Sequence, residues 1–190
     1  MYSIFLKKML KKYFKSQSGV TLIESLVAMM VITVGLVAIL SLALSSLTRA
    51  KVSKEQIVAT ALVREGIEIT RTIRDTNWLQ DIGCWSVNGC GLADDLYALD
   101  YTNASSLDEA TRFSGDIEEF IFLDNDASIL KENSESFYNH SSGDATIYRR
   151  VVQIEAGNIT ESKHIRCRVY WNARGKDFYV DAETILTNWR

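Results

Sequence analysis

The 190-residue sequence contains no proline. Proline typically makes up ~5% of residues, so its absence excludes a proline-rich linker and a collagen-like chain and permits a long uninterrupted helix. Three cysteines are too few for a disulfide-stapled mini-domain. The net charge of −3 gives no global basic footprint for nucleic acid. Charged residues at 24% and hydrophobic ones at 47% are ordinary for a folded chain, which excludes wholesale disorder. The length corresponds to one domain, or one domain with an appendage.

These averages conceal an uneven chain. Residues 1–19 hold Lys7, Lys8, Lys11, Lys12 and Lys15 and no acid, a side-chain charge of +5. Removing that +5 from the net −3 leaves −8 on residues 20–190. A basic leader is therefore joined to an acidic body. Val20 to Thr48 follows, with Glu24 as its only charge. The uncharged run Ser25–Thr48 is 24 residues, about 36 Å as a helix, enough to cross a ~30 Å hydrocarbon core.

A secretory signal peptide has a shorter apolar stretch of ~7–15 residues and a small-residue cleavage site at its end; neither fits. A plain signal anchor fits the length, with the lysines holding the N-terminus in the cytoplasm. Neither reading explains Glu24. A carboxylate costs ~2.5–3.5 kcal/mol near the centre of a membrane helix, and less near an interface. An ionisable residue in such a span is a functional candidate whose partner has to be found; the alternative is an acid snorkelling at the membrane edge.

Lys15–Gly19 followed by Val20-Thr21-Leu22-Ile23-Glu24 resembles the type IV prepilin cleavage and methylation motif: a basic leader, a glycine, then a T-L-I-E stretch opening a long apolar helix. The resemblance covers roughly residues 7–50. It implies that a membrane-embedded aspartyl prepilin peptidase cuts between Gly19 and Val20 and that the new amine of Val20 is N-methylated. It also implies that Glu24 meets the amine of an adjacent subunit in a filament, fixing axial register as the protein leaves the bilayer. Paired, such charges are tolerable in hydrocarbon; unpaired, they are costly. Glycine before the cut lets a protease approach the backbone closely. Val20 stands where phenylalanine is commonest, and Ser41 lies where major pilins usually carry a kinking proline. Both departures, with the E-S-L-V-A run and Gly35, point towards a minor pilin or pseudopilin.

Beyond Arg49, Lys51 and Lys54, helical spacing continues. Val58, Leu62, Ile69 and Ile73 recur at steps that place them on one face, with Ala61 and Glu65 between. Gly66 weakens the helix by ~1 kcal/mol relative to alanine. The pattern predicts one helix from about Val20 to Thr76, roughly 85 Å long. Its second half is expected to pack an apolar face on a sheet and to leave Lys54, Glu55, Arg64, Glu68 and Arg71 in solvent.

Residues 77–100 read as an irregular connection rich in asparagine and glycine. Cys84 and Cys90 lie within it. A disulfide closing that loop is compatible with a site outside the cytoplasm, and two free thiols are the alternative. The spacing matches no usual zinc or redox motif. Strands are expected at Tyr97–Tyr101, Glu119–Leu123, Ser128–Leu130, Thr146–Ile154, His164–Trp171 and Asp177–Leu186. In the fifth, Ile165, Cys167, Val169 and Trp171 alternate with polar residues, a half-buried pattern, and Cys167 is expected to be buried. The ending Leu186–Arg190 is similar to that of some minor pilin-like chains.

The fold class is thus α+β: a long N-terminal helix, membrane-spanning in its first half, packed on a C-terminal antiparallel sheet, pilin-like. The expected divisions are a leader at 1–19, a membrane or filament-core half of the helix at 20–48, its amphipathic half at 49–76, and a head domain at 77–190. His140 and His164 have no nucleophile or zinc motif beside them, so catalysis is not expected, and no cofactor is implied. Asp124, Asp126, Ser128 and Glu135 follow a calcium-loop spacing, but Ile129 stands where that loop needs glycine. Tyr148, Arg149 and Arg150 with Arg166, Arg168, Tyr170 and Trp171 suggest a basic, aromatic stripe of interest for single-stranded nucleic acid; cross-strand pairing with carboxylates is the favoured alternative. Asn103, Asn139 and Asn158 open glycosylation sequons that are uninformative without the organism.

The expected function is a structural subunit, a minor pilin or pseudopilin of a type IV pilus or a related secretion or competence filament. Its implied partners are the prepilin peptidase, sibling pilin-like subunits, the assembly platform and, before assembly, inner-membrane lipid. A nucleic-acid partner has no further support. The expected location is the cytoplasmic (inner) membrane as a single-pass protein with an extracytoplasmic C-terminal domain, and then a filament. A signal-anchored extracytoplasmic binding protein that never polymerises is the rival.

Overall fold

The computed structural model of the protein describes residues 21–80, 91–108, 110–120 and 125–188. Among the described residues the first element is the helix α1 (Leu22–Leu79, 58 residues). The chain divides into two compact units between Ala50 and Lys51. In the first, the helix is apolar all round: sixteen large hydrophobic side chains from Leu22 to Leu47 are each more than half exposed. A helix of that kind is long and apolar enough to span a bilayer. Three of its hydroxyls bond locally, Ser25 donating to the Leu22 carbonyl, Thr33 to that of Met30 and Thr48 to that of Leu44, each at 2.9 Å.

The second unit is a helix on a seven-stranded antiparallel sheet. Its strands are β1 (Asp95–Ala98), β2 (Thr111–Phe113), β3 (Ile129–Glu132), β4 (Tyr138–Asn139), β5 (Asp144–Ala156), β6 (Ser162–Ala173) and β7 (Lys176–Thr187). β5 is the central strand. One side of it pairs with β6, and the other with β1 at one end and β3 at the other. β7 closes onto β6 through Arg174 and Gly175, both at positive φ (55° and 73°), the requirement of a tight two-residue hairpin turn.

The core lies between the sheet and the second half of α1. Ala59, Leu62, Val63, Ile69 and Ile73 of the helix meet Val152, Ile154, Ile165, Cys167, Val169 and Trp171 of the sheet. Each fully buried aliphatic side chain contributes ~1.5–3 kcal/mol. The helix crosses the sheet diagonally. Tyr148 on β5 donates its hydroxyl to the Glu55 carbonyl at 3.3 Å, Gly66 lies over Cys167 on β6, and Arg71 reaches Thr184 on β7 at 3.4 Å. A small cluster of Leu96, Ile117, Phe120 and Val151 sits on the other face, under the short helix α2 (Ile117–Phe120).

The α+β expectation holds, as do the three long C-terminal strands and the buried Cys167. Five details differ. The first strand lies at Asp95–Ala98 and not at Tyr97–Tyr101, and Tyr101 begins a 3-10 turn. Helix α1 runs three residues further, to Leu79. The expected strand Glu119–Leu123 begins in α2 instead, because a short apolar run carries no periodicity that separates helix from strand. Residues 121–124 lie outside the described residues. The short strands β2 and β4 lack a pattern long enough to read. Glu55, expected in solvent, is 8% exposed, because the tilt of the helix carries it under Tyr148.

Candidate assembly motif and the charged faces of the sheet

The N-terminal motif meets the described structure at Thr21. The Thr21 hydroxyl accepts the Glu24 backbone N–H at 3.3 Å, and the Thr21 carbonyl accepts the Ser25 N–H at 3.1 Å. Thr21 is therefore the N-cap of α1, and Glu24 occupies the third helical position, where a capping box carries its acid. A carboxylate in the first turn is also favoured by the helix dipole. Glu24 is exposed, so its charge is presented outward at the threshold of the apolar run. Gly19 and Val20 lie outside the described residues, as do Cys84 and Cys90.

In the sheet, the expected basic stripe separates onto two faces. The register pairs Tyr148 with Trp171, Arg149 with Tyr170, and Arg150 with Val169. Strand alternation then puts Tyr148, Arg150 and Trp171 against the helix, and Arg149, Arg166, Arg168 and Tyr170 on the opposite face. On that outer face, Arg168 forms a fork with Glu118, Nη1 to Oε2 at 2.8 Å and Nη2 to Oε1 at 3.0 Å, and also donates to Asp181 at 2.8 Å. Arg166 donates to Asp181 at 2.9 Å and lies 3.2 Å from Glu183. Tyr179 covers the Arg168 guanidinium at 4.6 Å, a cation–π contact.

These partners shape the acids. The hydrogen bond from Arg168 holds Glu118 below its ordinary range. Burial acts to raise Asp181, but Arg168 and Arg166 outweigh it and hold it low as well. Cross-strand pairing with carboxylates, the favoured alternative, is what Arg166 and Arg168 do. Arg168 is only 4% exposed, so its charge faces Glu118 and Asp181 rather than solvent.

Arg150 plays a part that sequence reading missed. It is fully buried. Its Nε and Nη2 donate to the Leu99 carbonyl at 2.9 and 2.6 Å, and its Nη1 donates to the Leu62 carbonyl of α1 at 3.1 Å. Glu65 Oε2 lies 3.2 Å from the same Nη1. The signal available in sequence was an arginine at an inward position of an alternating strand.

The two histidines lie apart. His140 donates its backbone N–H to Asp100 at 2.6 Å, and its Nδ1 lies 3.2 Å from the Ile129 carbonyl. Burial first, and then the charge of Arg150, push its pKa down to about 4. His164 lies 3.3 Å from Glu183 on the outer face. At the calcium-like spacing, Asp126 and Ser128 sit in a single 3-10 turn capped by Asn125, and Ser128 donates inward to the Asn125 carbonyl at 2.8 Å; Asp124 lies outside the described residues. Among the described residues, no three His, Cys, Asp or Glu side chains gather as metal ligands would. A notch lined by Ile117, Phe120, Val151 and Tyr170 holds about 20 Å³, room for one water.

With this geometry in place, comparison with known families is informative at the N-terminus. The family model of the prokaryotic N-terminal methylation motif matches residues 14–46. No curated protein and no solved structure matches the chain. The motif runs directly into a 58-residue helix whose second half packs on an antiparallel sheet, and together these fit a type IV pilin-like protein.

Proposed function

We propose that this chain is a filament subunit, a minor pilin or pseudopilin of a type IV pilus or of a related secretion or competence filament, and that it works by assembly and not by catalysis. The observation that carries the reading is the methylation motif at residues 14–46 opening onto a helix with an uncovered apolar half. The peptidase removes residues 1–19 by cutting between Gly19 and Val20, and the Val20 amine is methylated. The helix waits in the cytoplasmic (inner) membrane with the sheet domain on the extracytoplasmic side. On assembly, the outward-facing Glu24 meets a neighbour's N-terminal amine, and the apolar half of the helix exchanges lipid for sibling subunits.

Mass spectrometry of the mature N-terminus tests this reading. A methylated Val20 is the expected end group. An unprocessed Met1, or a cut after the apolar run, overturns it. Gly19→Ala is expected to block both processing and incorporation into filaments. A normally localised, active protein after that change would indicate an anchored binding protein instead.

A further inference from the structure

β7 is the longest open edge of the sheet. The opposite flank ends in β2 and β4, of three and two residues, whereas β7 has twelve and pairs with β6 alone among the described residues. The pairing runs from Ala173↔Lys176 to Ser162↔Thr187 without a register shift. Residues flanking a two-residue turn exchange backbone hydrogen bonds, and the exchange then alternates. Even-numbered residues of β7 therefore bond to β6. Asn188, just beyond the strand, keeps this parity by donating to the Glu161 carbonyl at 3.0 Å. The N–H and C=O groups of Tyr179, Asp181, Glu183 and Ile185 consequently point away from the sheet.

Natural edges are guarded by proline, by bulges, by inward-pointing charge or by charged side chains along the edge. β7 has only the last of these, in Asp177, Asp181 and Glu183. The sequence lacks proline, the register is unbroken, and the helix-facing Phe178, Val180, Ala182, Thr184 and Leu186 are neutral. Phe178, Val180 and Ala182 pack on the core yet are only partly buried, so another strand alongside completes their cover.

Charge selects the occupant. The outer-face row Asp177, Tyr179, Asp181, Glu183, Ile185 carries three acids and no base. Arg166 and Arg168 of β6 meet Asp181, and Arg166 also meets Glu183, but Glu118 shares the same two arginines and Asp177 bonds to Tyr170 and Asn172, so the acids along this edge outnumber the bases beside them. Antiparallel pairing of two copies of β7 sets acids opposite acids: Asp181 against itself when centred there, Asp177 against Glu183 when centred on Val180, and Asp181 against Glu183 when centred on Ala182. Like charges directly opposite are destabilising. We propose that the outer edge of β7 accepts an extended segment of a partner protein with lysine or arginine at alternate positions, added as an eighth strand. This holds whether or not the chain polymerises.

The test uses the full chain in detergent micelles, a peptide of about ten residues alternating lysine and valine, and its glutamate–valine counterpart. Backbone amide exchange is followed residue by residue. The lysine peptide is expected to slow exchange at Tyr179, Asp181, Glu183 and Ile185 by about tenfold or more, and the glutamate peptide to bind about tenfold more weakly. Ile185→Pro removes one outward N–H while sparing the bonds to β6. It is expected to abolish the effect while Val180 and Ala182 keep their native protection. Should that variant disturb β7, Asp177→Lys with Glu183→Lys is expected to exchange the preference between the two peptides. No slowing with the lysine peptide, or equal slowing with both, overturns the proposal. Protection that grows with protein concentration and needs no peptide also overturns it, in favour of a second copy.

Discussion

A methyl group placed on Gly66 of the helix would lie 2.6 Å from the sulfur of Cys167 on β6 and 3.3 Å from Cδ of Arg150. At this crossing the approach of α1 to β6 thus depends on the missing side chain of one residue and the small side chain of another. Gly66→Ala gains ~1 kcal/mol of helix propensity but overfills a packed core, which costs ~1–3 kcal/mol. Cys167 is fully buried and has little room to yield. The expected net effect is a destabilisation of about 1 kcal/mol in chemical denaturation of the full chain in detergent. The double variant Gly66→Ala, Cys167→Ala opens the space and is expected to recover most of that loss. A single variant more stable than the parent would show that the contact relaxes freely.

Arg150 ties three segments together, because its guanidinium holds the carbonyls of Leu62 and Leu99 and faces Glu65. Truncating a buried ion leaves its partners unpaired and costs ~3–5 kcal/mol. Arg150→Ala is expected to fall in that range. Arg150→Lys is expected to rescue little, because an ammonium cannot span both carbonyls with the geometry of a planar fork. Glu65 is partly exposed, so Glu65→Gln is expected to cost less than about 1 kcal/mol. Equal losses for Arg150→Ala and Glu65→Gln would mean that the ion pair, and not the carbonyl contacts, holds the helix.

How far the sequence revealed these features depends on the range of the interaction. The alternation of Ile165, Cys167, Val169 and Trp171 is local, and the structure buries all four. The uncharged run ends at Thr48, two residues before the division between the two units at Ala50 and Lys51. Arg149 and Arg150 read together as part of one basic stripe, whereas the structure puts Arg149 on the outer face and buries Arg150 against the helix. The groups that make burial of Arg150 tolerable lie 51 and 88 residues away in sequence. Glu118, which tethers α2 to Arg168, lies 50 residues from it. Gly66 read only as a weakness in a helix, since the atom it makes room for belongs to a strand about a hundred positions later.

His140 gives the second unit a defined acid response. Its imidazole is held neutral by burial and by the nearby Arg150, with Asp100 opposing them in part, and its pKa is near 4 against an ordinary 6.5. The unfolded chain therefore binds a proton that the folded chain refuses, and stability falls as the pH drops from about 6.5 to about 4. The full shift is worth on the order of 3 kcal/mol. Asp181 and Glu118 act lower, because their depressed values keep their contribution until the pH falls below the ordinary carboxylate range. Denaturation midpoints measured in steps from pH 7 to about pH 3 are expected to decline for the parent. His140→Gln is expected to flatten the slope between about pH 6.5 and pH 4 while leaving the decline below it. An unchanged slope in that variant would assign the response to other groups.

Glu24 is the sharpest test of the proposed assembly, because its two roles make different demands. As the third residue of a helix capped by Thr21, it needs only a side chain that tolerates the first turn; glutamine serves nearly as well there. As the partner of a neighbour's amine in an apolar filament interior, it needs a negative charge, since an unpaired ammonium in hydrocarbon is costly. Glu24→Gln is therefore expected to preserve membrane insertion and cleavage after Gly19. It is expected to reduce co-purification with sibling subunits by about tenfold or more, on the basis of one lost charge pair in a low-dielectric setting. Thr21→Ala removes the hydroxyl cap and keeps the charge, so it is expected to weaken the first helical turn by ~1 kcal/mol and leave incorporation largely intact. If Thr21→Ala were as damaging to incorporation as Glu24→Gln, the order of the helix start and not the carboxylate charge would be what assembly requires.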